Sequence, residues 1–68
     1  MPYRTNSDLP ASVQGHLPPH AQDIYMQAFN RAWITYRRRA DREGVARRVA
    51  WAAVKKRYRK RGDLWVEK

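Results

Sequence analysis

The chain has 68 residues, enough for one small domain spanning positions 1–68, and a body of this size must build its core from a few large side chains. Lys and Arg number 15 against 6 Asp and Glu, a formal net charge of +9 that attracts nucleic acid, acidic lipid or acidic protein without choosing among them. Cysteine is absent, which excludes a disulfide framework, a thiolate nucleophile and a cysteine-bound zinc.

In chain order, "NSDLP" offers Ser7 as a helix N-cap with Asp8 in the first turn, and predicts a short helix from Asp8 to about Gln14 that ends at Gly15. The stretch Met1 to Ser12 lacks the apolar centre of a signal peptide. "HLPPH" stops any helix, because Pro18 and Pro19 lack amide hydrogens, so the next one starts near Pro19. From there Ala21, Ile24, Tyr25, Ala28, Phe29, Ala32, Trp33 and Tyr36 recur at helical spacing and lay one apolar stripe along the helix. This stripe predicts the core, with Phe29, Trp33 and Tyr36 buried against Val49 and Ala53.

"RRRADREG" connects to a third helix, expected from about Val45 to Arg61, whose Val45, Ala46, Val49, Ala50, Ala52 and Ala53 form a small-chained packing face. The short connection makes the two long helices antiparallel. After "GD", "LWVE" reads as a β-type tail with Leu64 and Val66 on one side and Trp65 on the other. Its expected partner is the amino-terminal "PYR", Pro2 to Arg4. The fold class is therefore mainly α: one short and two long antiparallel helices with a minor two-stranded β pairing of the termini. No apolar run approaches the ~18 residues of a membrane span, so the protein is expected to be cytoplasmic and not membrane-embedded.

The residues "MPY", "DLP", "LPPHAQDIYMQAFNRAW" and "VAWAAVK" resemble the ChaB family of small bacterial, archaeal and viral proteins over nearly the whole chain, Met1 to about Trp65. The resemblance implies a compact fold of about three helices with a two-stranded sheet joining the termini. It also implies a role as regulator of a cation antiporter, while some relatives are described as DNA binders. Family members tied to cation transport resemble one another in an acid-rich loop between the second and third helices. Here the corresponding "RRRADREG" is predominantly positive, and Asp41 and Glu43 supply too few oxygens for a divalent cation.

Charge placement carries the functional reading. Arg48, Lys55 and Arg59 fall on one line of the expected third helix, flanked by Trp51 and Tyr58. Aromatic rings among cations suit a phosphate backbone; the alternative is that Trp51 is core and that Lys55 to Arg61 is a solvated helix end whose cations complement the helix dipole. Arg37, Arg38, Arg39 and Arg42 should lie near Arg47 and Arg48, with Lys55, Lys56, Arg57, Arg59, Lys60 and Arg61 two to three turns away. These twelve residues are the candidate nucleic-acid surface. Arg and Lys dominate it, so binding to duplex DNA with little sequence specificity is expected. The alternative partner is an acidic protein, such as the cytoplasmic part of a cation antiporter.

Catalytic readings fail in turn. His16 and His20 are separated by "LPP", which cannot form the turn that would bring both imidazoles to one metal. Ser7 and Ser12 have no evident base, and no glycine-rich phosphate loop exists. A binding protein with no catalytic residues, metal, cofactor or small-molecule substrate is expected.

Overall fold

The computed structural model describes residues 3–68. A 3-10 turn, Asn6–Asp8, leads into a short helix α1 (Ala11–His16), followed by two long helices, α2 (Pro19–Thr35) and α3 (Arg42–Arg57). Without any linker α3 continues into an antiparallel hairpin, β1 (Tyr58–Arg61) and β2 (Leu64–Glu67). Three helices with a two-stranded sheet is the expected fold class.

The strand that pairs with the tail is not the expected one. Arg59 lies opposite Val66, Lys60 opposite Trp65 and Arg61 opposite Leu64, so the sheet is local and does not join the termini. Pro2 lies outside the described residues; Tyr3 sets its ring 4.8 Å from that of Phe29. The physical reason is the turn. Gly62 has φ 62°, the left-handed first central residue that a two-residue II′ hairpin requires. Closing two residues also costs far less chain entropy than joining the two ends. As a consequence α3 stops at Arg57 and not at Arg61.

The amino-terminal boundary also shifts. Ser7 is not the cap: the backbone amides of Arg4 and Thr5 each donate to the Asp8 carboxylate at 3.2 Å, which closes the 3-10 turn, and α1 begins only after Pro10. By contrast α2 starts at Pro19 as the sequence demands, since a proline in the first turn forfeits no hydrogen bond.

Ala21, Tyr25, Phe29 and Ala32 of α2 meet Ala46, Ala50 and Val54 of α3 in one buried cluster, completed by Leu9, Val13, Leu17 and Tyr58. The alanines let the helix backbones approach closely. Three residues of the expected packing faces lie outside it: Tyr36 is 38% exposed, Val49 36%, and Ala52 also faces outward. Tyr36 follows the last turn of α2, where φ −106° and ψ 29° end the helix. Val49 sits on the shoulder of a contact stripe centred on Ala46 and Ala50, because residues one apart on a helix differ by about 100° in direction. Trp33 and Ala53 are half-buried.

The helix pair therefore has two unlike sides. On one, Tyr3, Trp51 and Trp65 fold over the core, with Trp51 edge-on to Tyr25 at 5.2 Å and 5.5 Å from Trp65. On the other, Ile24 and Ala28 of α2 and Val49 and Ala53 of α3 line an open groove.

Candidate functional site

The twelve candidate basic residues divide into two groups with different electrostatic surroundings. Around the α2–α3 connection, Arg39 donates to Asp41 at 3.2 Å, Arg48 approaches the other Asp41 oxygen at 3.5 Å, and Arg47 pairs with Glu43 at 3.4 Å one helical turn away. Arg42 lies 3.9 Å over the Trp33 ring and donates from Nε to the Trp33 carbonyl at 2.7 Å. That guanidinium closes the helix corner, supplying a donor to a carbonyl in the last turn of α2. The hydrogen bond from Arg39, with Arg48 nearby, holds the Asp41 carboxyl below its ordinary pKa. Exposed Arg37 and Arg38 complete this group.

The second group, Lys55, Lys56, Arg57, Arg59, Lys60 and Arg61, is exposed throughout. Among the described residues none of the six forms an ion pair with a carboxylate. Their arrangement differs from that of the expected continuous helix, on which Lys55 and Arg59 would share a line with Arg48. Lys55, Lys56 and Arg57 fan around the last turn of α3, whereas Arg59, Lys60 and Arg61 follow the strand pleat, alternating in direction. Arg59 thus leaves the line of Arg48 and Lys55.

The aromatics that were to flank that line have separate places. Tyr58 is buried at 4% exposure, with its hydroxyl 3.2 Å from His20 Nδ1, so it anchors the hairpin to the start of α2 and is not a surface ring. Burial pushes its phenol pKa up, reinforced by Glu67 and opposed by Arg57. Trp51 and Trp65 are half-buried, and their indoles border a shallow hollow with Lys55, Lys60 and His16. His16 Nδ1 lies 2.6 Å from the Ser12 carbonyl, so the two histidines have different partners. Among the described residues no three His, Asp or Glu side chains converge as metal ligands.

The groove between α2 and α3 was not foreseen. It has a volume of about 910 Å³ and runs from His20 and Arg57 at one end to Tyr36 and Val49 at the other. A signal was present: Ala21, Tyr25, Phe29 and Ala32 already form a full contact stripe, so Ile24 and Ala28 beside it widen the apolar face beyond one partner helix.

Comparison with known proteins agrees with this architecture over almost its full extent. The family model ChaB matches residues 9–68. Proteins named "Putative cation transport regulator ChaB" from Escherichia coli K12 and Shigella flexneri are 55% identical over 75 residues, covering 100% of this chain and 99% of each relative. An NMR solution structure of a protein of that name superposes with a TM-score of 0.88 at 54% identity, covering 98% of this chain and 99% of the other. No helix among the described residues is long and apolar enough to cross a membrane. With matching sequence, helix order and fold, the chain belongs to the ChaB family.

Proposed function

We propose that this protein is a non-enzymatic regulator of cation transport that acts from the cytoplasmic side by docking on an acidic protein surface. Its docking residues are Lys55, Lys56, Arg57, Arg59, Lys60 and Arg61. The observation that carries the reading is the contrast between the two basic groups. Four of the six cations at the α2–α3 connection, Arg39, Arg42, Arg47 and Arg48, are engaged by Asp41, Glu43 and Trp33, whereas the six at the end of α3 and in β1 have no acidic partner among the described residues. The names of the relatives favour a protein partner over nucleic acid. Unpaired surface cations of this kind steer association and set partner choice more than they add raw affinity.

A second reading, contact with a nucleic acid backbone, draws on the half-buried Trp51 and Trp65 beside Lys55 and Lys60. One titration separates the two. Fluorescence anisotropy is measured with a labelled Glu-rich peptide and a labelled duplex of equal charge, for the native chain and for the Lys55→Glu, Lys56→Glu, Arg59→Glu variant. The expected result is saturable peptide binding that the triple reversal abolishes while the helical circular dichroism stays intact. Peptide binding untouched by the reversal would remove these residues from the function. Duplex binding far tighter than peptide binding, with log affinity falling at about −0.9 per neutralised phosphate against log salt, would move the function to nucleic acid.

A further inference from the structure

The groove between α2 and α3 has the form of an empty helix seat. Its floor is apolar and shallow: Ile24 and Ala28 stand one turn apart on α2, and Val49 and Ala53 one turn apart on the antiparallel α3. Ile24 and Ala28 touch the core with their inner side, as Tyr3, Trp51 and Trp65 do on the opposite side, while the outer side of these four positions opens into the groove. Val49 is the clearest case. It is 36% exposed in mid-helix, where a β-branched side chain is a poor helix former and gains little from burial. From Ile24 to Thr35 the α2 wall spans eleven residue steps, about 16 Å at 1.5 Å per step, which matches three turns of a third helix.

The rim specifies the occupant. Arg31 on α2 and Lys56 and Arg57 on α3 stand along the groove, and among the described residues Asp23 is the single carboxylate lining it. A second copy of this chain, at net charge +9, would bring cations against those cations. A nucleic acid duplex offers no apolar ridge for the Ala28 and Ala53 floor. A helix with apolar residues at i, i+3 or i+4 and i+7, bordered by Glu or Asp, satisfies floor and rim together.

We infer that the α2–α3 groove receives an acidic amphipathic helix of a partner protein, seated on Ile24, Ala28, Val49 and Ala53 and fixed in register by Arg31, Lys56 and Arg57, to complete a three-helix layer. This inference rests on the acidic-partner reading and gives that partner a secondary structure. It also gives it a place distinct from the hairpin.

The test uses the full chain and two synthetic acidic peptides of about 14 residues. One has Leu at helical spacing between Glu residues; the other has the same composition scrambled so that no apolar stripe forms. The amphipathic peptide is expected to bind at least about tenfold more tightly than the scrambled one, equivalent to roughly 1.4 kcal/mol. Amide shifts in ¹⁵N-labelled protein should centre on Ile24, Ala28, Val49 and Ala53. Val49→Lys is the decisive variant because it adds a cation to a basic rim. Seating in the groove predicts about tenfold weaker binding of the amphipathic peptide, whereas attraction by charge alone predicts equal or tighter binding. Circular dichroism confirms that the variant folds, and Val49→Ala should give a smaller loss in the same direction. Equal binding of the two peptides, or binding unchanged in Val49→Lys, would overturn the helix seat while leaving the acidic-partner reading intact. Failure of both peptides to bind would overturn both. Self-association of the free protein that Val49→Lys abolishes would assign the groove to a second copy and overturn the proposal.

Discussion

The two sides of the α2–α3 pair are made from the same helices, yet one is covered by three aromatic rings and the other carries a groove floored by Ala and Val. The difference lies less in hydrophobicity than in reach. On the covered side, Tyr25, Phe29 and Trp51 are large enough to meet Tyr3 and Trp65 arriving from the two ends of the chain. On the open side Ala28 and Ala53 are too short to recruit a neighbour from the chain itself. Stability should therefore be concentrated on the first side, leaving the second free for exchange with a partner.

The largest test of this division is Phe29→Ala. Phe29 is 2% exposed and touches Tyr3, Tyr25 and Trp33, so its truncation should cost about 3–5 kcal/mol in denaturant unfolding. A loss under about 1 kcal/mol would break the comparison, because the covered side would no longer be the source of stability. Deleting residues 64–68 removes Trp65 from Trp51 and unpairs β1, and a loss of about 1–3 kcal/mol is expected, together with a red shift of Trp51 emission. Unchanged melting would show that the hairpin is no part of that cover.

Gly62→Ala sharpens the same point more gently, since a Cβ at φ 62° is strained whatever the free space and should cost about 1 kcal/mol. On the open side Val49→Ala should change unfolding free energy by less than about 0.5 kcal/mol, and a loss comparable to that of Phe29→Ala would mean the groove is structural. The smallest effect is a control on neither side. The Asp41 carboxyl is held below its ordinary pKa, so its contribution to stability is present above pH 3.8 and fades as the pH falls through the lower, folded-state value. Because Asp41 is exposed, added salt should nearly erase this acid-side change in melting temperature.

The helices were legible because periodicity and proline are local signals: Pro19 set the start of α2, and Tyr25 and Phe29 marked its buried face. The hairpin was half legible. "YRKRGDLWVE" contains a glycine-led two-residue turn between runs of four, but the cation-rich "YRKR" continued a strong helix and its strand character emerges only when "LWVE" pairs with it. Charge was the least transparent layer. Sequence counts twelve candidate cations alike, and only three-dimensional neighbours separate Arg39, Arg42, Arg47 and Arg48, which tie the helix corner together, from Lys55 to Arg61. The groove was hidden for a related reason, since an apolar stripe does not disclose how much of its width the chain itself will cover.

The seamless passage from α3 into β1 imposes a phase lock on the molecule. Tyr58 takes extended geometry at φ −128° and ψ 156° immediately after the last helical residue, so the screw of the helix sets the pleat of the strand with no slack between them. Inserting one residue there would turn the hairpin by about 100° if absorbed as helix, or exchange its two faces if absorbed as strand. Either outcome withdraws Tyr58 from His20 and Trp65 from Trp51 together. The tail can therefore vary in composition but not in frame, and length changes are confined to the connection between α2 and α3 or to the free ends.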